Sequence, residues 1–226
     1  MVILESGVGY RIQENYVFDN EVIQFGAARS GTTLMWNILA RLFRKVWKSH
    51  QYIPKSMVEK DTKVFITIRH PRDMVLSLMR VEEDIDDLSS ITKEKLEAYI
   101  TWIESYQKFY ETFYNEYDHF DFRFENYNIN TVFNVIENNY GEIPENLKEK
   151  IKKDVSKEQV LKDVSHKGKR QLIKNGYSAY FLNRNSKHIS DKEPDEYFNM
   201  LSLNLQKKLN KSLGEFKIFL GYSAGI

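Results

Sequence analysis

Short apolar runs alternate with longer amphipathic stretches along this chain. Residues 22–25, 46–48, 64–68 and 120–124 are short runs rich in β-branched or aromatic side chains, and each predicts a strand. Segments 33–44, 73–81, 93–117 and 129–140 instead repeat apolar residues at helical spacing. In the longest, Leu96, Tyr99, Ile100, Ile103, Tyr110, Phe113 and Tyr117 form one stripe, the pattern of a helix face buried in a core. Strand–helix–strand alternation predicts an α/β fold with three layers, α/β/α, around a central parallel sheet. Such a sheet has right-handed crossovers and binds ligands at the carboxyl ends of its strands. No repeat or low-complexity linker interrupts the pattern, so residues 1–226 are expected to form one domain. Segment 145–174 is lysine-rich and reads as a solvated helical face ending in an acid-free basic loop from His166 to Lys174.

Composition narrows the function classes. With 42% hydrophobic and 14% aromatic residues, the 226-residue chain can build a real core. Lys plus Arg number 33 and Asp plus Glu 32, a balance that points to neither nucleic acid nor a membrane surface as a bulk partner. The absence of cysteine excludes disulfides, thiolate metal sites and cysteine nucleophiles. No apolar run approaches membrane-spanning length and no leader pattern opens the sequence, so a cytoplasmic location is expected. Neither His119 nor His166 has a metal-ligand partner at helical spacing, and no metal site is expected. Glu82, Glu83, Asp84, Asp86 and Asp87 form an acidic cluster read as a solvated loop.

Two stretches carry chemistry. The first, Phe25-Gly26-Ala27-Ala28-Arg29-Ser30-Gly31-Thr32-Thr33, follows a strand and opens a helix. Gly26 and Gly31 have the spacing of a phosphate-binding loop, but Thr32 stands where nucleotide hydrolases carry lysine. Backbone N–H groups and the helix dipole suit such a loop to a phosphate, while the missing lysine argues against ATP or GTP hydrolysis. The second stretch runs from Val64 through Arg69-His70-Pro71-Arg72-Asp73 to Ser77. Pro71 biases His70 to an extended conformation and itself suits the first turn of a helix. An arginine at the carboxyl end of a parallel strand would lie beside the phosphate loop. Ser77, two helical turns on, could serve the same anion.

Together these stretches resemble the PAPS-dependent sulfotransferases, which use 3′-phosphoadenosine 5′-phosphosulfate as sulfuryl donor. Ala28-Arg29-Ser30-Gly31-Thr32-Thr33 is similar to the family's Pro-Lys-Ser-Gly-Thr-Thr loop. Arg69-His70-Pro71-Arg72-Asp73 with Ser77 is similar to its Arg-Asn-Pro-Lys-Asp and serine motif. Lys48-Ser49-His50 resembles the Lys-Thr-His of cytosolic members, and Arg123-Phe124-Glu125-Asn126 resembles a later Tyr-Glu-Asp. Lys187-His188-Ile189 through Tyr222 looks like the closing segment of many bacterial members, which suggests a short, bacterial or phage-type member.

The resemblance implies a P-loop-like fold, PAPS as donor and in-line sulfuryl transfer to a hydroxyl or amine of a small-molecule or glycan acceptor, with no metal. Ala28, Arg29, Ser30, Gly31, Thr32 and Thr33 would take the 5′-phosphosulfate, and Arg69 and Ser77 the 3′-phosphate. Phe124, Lys187 and His188 would complete the nucleotide site, with Lys167-Gly168-Lys169-Arg170 competing with Lys187, His188 and Lys192 to close over the 3′-phosphate. His50 would be the general base, with Arg29 and Lys48 on the leaving group and sulfuryl oxygens. Other branches use a glutamate base, which makes Glu59 a second candidate. Leu34 stands where cytosolic members stack a tryptophan on adenine, so the base must be held differently here. Two other classes stay open: a P-loop nucleotide kinase or phosphotransferase, and a non-catalytic nucleotide-binding relative.

Overall fold

A computed structural model describes residues 2–3, 9–83, 85, 87–160 and 193–222. Its sheet contains β1 (Val2–Ile3), β2 (Gly9–Ile12), β3 (Phe18–Gly26), β4 (Phe43–Ser49), β5 (Lys63–Ile68) and β6 (His119–Arg123). The helices are α1 (Thr32–Leu39), α2 (Pro71–Glu82), α3 (Lys93–Glu104), α4 (Gln107–Glu116), α5 (Ile129–Tyr140) and α6 (Glu145–Val155), then α7 (Pro194–Met200), α8 (Leu203–Ser212) and α9 (Gly214–Phe219). Among the described residues no helix is long and apolar enough to cross a membrane.

The strand order is β1-β2-β4-β3-β5-β6. Strands β4, β3, β5 and β6 are parallel, as the alternating pattern requires. At one edge of this parallel centre the pairing is antiparallel, β2 with β4 and β1 with β2. Strands β1 and β2 are only two and four residues long and extend the sheet at its edge through antiparallel backbone pairing. The chain leaves β3 for β4 on one side and then crosses to β5 on the other, so β3 is the topological switch point.

The strands' two-residue period builds two cores. Ile23, Phe25, Val64, Ile66 and Ile68 face a cluster with α2, α3, α4, α8 and α9. Val22, Val46, Phe65 and Phe122 face the opposite cluster with α1, α5 and α6. Helices therefore cover both faces of the sheet, and this is the expected α/β/α layering.

Two helix boundaries differ from the periodic pattern. The stretch 33–44 ends as a helix at Leu39, and Phe43 opens β4. Leu42 and Phe43 are fully buried in either reading, which is why an apolar period could not separate them. The stretch 93–117 divides at Ser105 and Tyr106 into α3 and α4, and Ser105 Oγ donates to the Trp102 carbonyl (2.6 Å) at the break. Helix α2 starts at Pro71 as its chemistry dictates, and the His70 ring caps it by accepting the Arg72 N–H (3.2 Å). The lysine-rich segment contributes α6, and its basic tail, 166–174, lies outside the described residues.

Candidate functional site

All four parallel strands run into one cavity of about 960 Å³. The loop after β3 lines it with Arg29 and Gly31, β4 leads to His50, β5 to Arg69 and β6 to Phe124. Residues scattered over nearly a hundred positions converge because each directly follows a strand of the same parallel sheet.

The loop after β3 is built by close approach. A Cβ on Gly26 would lie 2.3 Å from Thr67 Oγ1 and 2.7 Å from the Thr67 carbonyl, so only glycine fits beside β5. Arg29 and Gly31 both take left-handed conformations (φ 71° and 93°). For Arg29 this costs about 1–2 kcal/mol, and alternating handedness of this kind makes backbone N–H groups converge on an anion. Buried Ser30 Oγ donates to the Ala27 carbonyl (2.8 Å) and meets Thr67 Oγ1 (3.0 Å). The Tyr110 hydroxyl, reaching in from α4, accepts the Ala27 N–H (2.9 Å) and donates to the Thr67 carbonyl (2.9 Å). Gly31 gives α1 no side-chain cap, so the first-turn N–H groups and the positive end of the dipole open onto the cavity.

Cations surround this loop. Arg29 Nε donates to Ser77 Oγ (3.0 Å), and Arg69 Nη1 donates to the Arg29 carbonyl (3.1 Å). The Arg69 guanidinium also lies 4.6 Å above the Phe124 ring. Lys48 Nζ donates to Thr33 Oγ1 (2.8 Å). Burial, reinforced by the nearby Arg29 charge, pulls Lys48 down to about 7. His50 Nδ1 lies 2.7 Å from the Gly26 carbonyl, which can only accept. That bond therefore puts the proton on Nδ1 and the lone pair on Nε2. Burial and the Lys48 charge lower His50 to about 4, so it is neutral at physiological pH. Burial likewise draws Arg69 below its ordinary value, with Asp73 and Glu125 opposing, and it stays charged.

A second wall comes from α2 and α7. Arg72 bonds Asp73 (3.0 Å) and Asp195 (2.7 Å) and lies 4.9 Å over the Phe198 ring. Arg80, buried on α2, lies 5.6 Å over Tyr197. Further along, Leu34, Tyr127, Val155 and Val160 give the cavity an aliphatic and aromatic side.

The structure thus brings Ala28, Arg29, Gly31, Thr32, Thr33, His50, Arg69, Ser77 and Phe124 to one cavity, with Ser30 and Lys48 bonded to its walls. Arg29 and Ser77, assigned by the motifs to different phosphates, touch each other. Lys187, His188, Lys192 and the stretch Lys167-Gly168-Lys169-Arg170 lie outside the described residues. Glu59, the second candidate for the base, is exposed, pairs with Arg44 and does not line this cavity. Within the acidic cluster, Glu83 is held by Lys95 and Tyr99. His119 is half-buried, its ring 4.6 Å from that of Tyr114.

Sequence reasoning gave no site role to Tyr110, Arg80, Glu125 or Tyr222, although Glu125 and Tyr222 fell inside the weaker motif matches. Tyr110 sat in an apolar stripe, and the one signal available was a phenol where phenylalanine would serve the core equally well. Arg80 continues the helical face that carries Asp73 and Ser77, a spacing the motif match did not extend to.

No family model matches the chain, and no curated protein matches it. Among solved structures, mouse sulfotransferase SULT7A1 complexed with PAP superposes with a TM-score of 0.59 at 11% identity. The match covers 91% of this chain and 87% of that one. The chain shares its fold with that protein. At this identity the likeness concerns the path of the chain: a central sheet flanked by helices, with the loop after β3 at its switch point.

Proposed function

We propose that this chain is a PAPS-dependent sulfotransferase. The observation that carries the reading is the convergence of two anion-binding groups on one cavity: the uncapped α1 N-terminus with its left-handed loop, and Arg69 at the end of β5. A ligand with phosphates at both ends of a nucleoside needs two such groups, and one phosphate needs only the first. The donor set fits: N–H groups and the Thr33 hydroxyl for the 5′ end, Arg69 and Ser77 for the 3′ end. Phe124, Tyr127, Leu34 and Val155 provide surface for the base in place of the stacking tryptophan.

PAPS, when bound, supplies the sulfuryl group and departs as PAP. His50 Nε2 takes the acceptor's proton, with Nδ1–H fixed on the Gly26 carbonyl so that the ring cannot turn to the wrong tautomer. Arg29 and Lys48 offset the negative charge that grows on the leaving oxygen and the sulfuryl oxygens. Burial, helped by the same cations, keeps the resting His50 unprotonated, and an anion bound beside those cations raises its basicity. The acceptor is a small molecule or a glycan, and the setting is cytoplasmic.

The test is thermal melting with PAP in EDTA, followed by PAPS turnover on an acceptor panel. Ligand at a hundred times Kd stabilises the native state by about 2.7 kcal/mol. For a chain of this size that raises Tm by roughly 5–10 °C. The shift should be lost in Arg69→Ala and absent with ATP. A wild type whose Tm ignores PAP ends the sulfotransferase reading.

A further inference from the structure

The C-terminal turn after α9 is fastened beside Arg69 by contacts that nucleotide binding alone does not explain. Arg123 Nη2 donates to the Leu220 carbonyl (2.7 Å), and its guanidinium lies 4.6 Å over the Tyr222 ring. Gly221 has φ 74°, and a Cβ there would lie 2.8 Å from Arg123 Nη2. Tyr222 packs edge-on against His70 (5.0 Å), and its hydroxyl donates to Glu125 Oε2 (2.8 Å). The other oxygen, Glu125 Oε1, accepts the His70 N–H (2.6 Å). Both carboxylate oxygens are therefore held by donors that are not Arg69. Glu125 and Arg69 line the same cavity, and among the described residues they form no salt bridge although the Glu125 charge acts on Arg69 across it.

We propose that Tyr222 and Glu125 are positioning residues that keep the Arg69 fork open for the 3′-phosphate, so that the C-terminal turn sets the preference for a bisphosphorylated nucleotide. This deepens the sulfotransferase reading and rests on it. A carboxylate beside an anion site is a built-in competitor for its arginine. Two fixed donors remove that competition while letting the same carboxylate brace the turn that carries Arg69. Without the Tyr222 hydroxyl, Glu125 loses one tether and swings to Arg69, taking the place of the 3′-phosphate.

The experiment measures affinity for PAP and for AMP, which lacks the 3′-phosphate, in wild type, Tyr222→Phe, Glu125→Gln and the double variant. Tyr222→Phe is expected to weaken PAP about three- to fivefold, the scale of one partly exposed ion pair, and to leave AMP unchanged. Glutamine carries no charge with which to form an ion pair to Arg69, so Tyr222→Phe should have little further effect in the Glu125→Gln background. A merely structural role would weaken both ligands alike in both backgrounds, and that result overturns the proposal. So does a PAP-to-AMP ratio unmoved in Tyr222→Phe while wild type binds PAP, an outcome that leaves the sulfotransferase reading standing. A wild type that does not distinguish PAP from AMP overturns both.

Discussion

Gly31→Ala probes the phosphate loop at its tightest point. The residue has φ 93°, a conformation that costs a side-chain-bearing residue about 1–2 kcal/mol. The new Cβ would also lie 2.7 Å from Phe124 Cδ2, inside contact distance. Phe124 is 38% exposed, so its ring can swing outward, but it then leaves the Arg69 guanidinium it now faces at 4.6 Å. Losing that contact adds about 0.5–1 kcal/mol. The sum, about 1.5–3 kcal/mol, lowers Tm by roughly 3–12 °C in a chain of this size. The double-mutant cycle with Phe124→Ala separates the parts, because removing the ring relieves the clash and leaves the backbone strain. Gly31→Ala should then cost about 0.5–1 kcal/mol less in the Phe124→Ala background. Thermal and urea melts of the four proteins supply the numbers. Equal costs in both backgrounds would refute the ring contact, and a Gly31→Ala melt indistinguishable from wild type would refute the backbone argument too.

Other expectations follow from the same geometry. Tyr110→Phe strands the buried Ala27 N–H and Thr67 carbonyl and should cost about 2–4 kcal/mol in urea unfolding; a loss below 1 kcal/mol would show that neither group depends on the hydroxyl. Lys48 titrates near 7, and a bound anion raises that value, so PAP binding takes up a proton. Affinity should fall as pH rises through 7, by calorimetry in buffers of different ionisation enthalpy, and Lys48→Gln should flatten the slope. His50 titrates near 4 in the folded chain against about 6.5 unfolded, so the unfolded state binds more protons between those values. Stability should therefore fall on acidification from 6.5 towards 4, and less steeply in His50→Gln when Tm is followed against pH.

The parallel core and the main motifs were legible because they are local. Phe25 through Thr33 encodes a strand end, a glycine-dependent turn and a helix start within one short window. Pro71 announces the start of α2 without help from any distant residue. Strands β1 and β2 were not legible, because two and four residues are too short to declare a strand, and β1 joins through the backbone of β2 and β2 through that of β4. The division of 93–117 was hidden because the apolar period continues across Ser105 and Tyr106. Within the site, Arg29 and Ser77 look like separate anion ligands along the chain, and only packing of α2 against the loop reveals that they touch. Glu125 and Tyr222 are 97 positions apart, and no spacing rule links them.

The Tyr110 hydroxyl has a consequence for how such a site can be moved or shortened. Phosphate loops are commonly treated as portable cassettes, a strand, a glycine-rich turn and a helix that carry their own geometry. Here the turn is incomplete without a phenol contributed 83 positions later, which closes the gap between the loop's first amide and the neighbouring strand. A fragment ending after β5 would hold every residue of both nucleotide motifs up to Arg69 and still lack the clamp that shapes the loop. Grafting the cassette onto another sheet would need a matching hydroxyl from a helix on the α4 side, because the working unit is the loop together with its distant tyrosine.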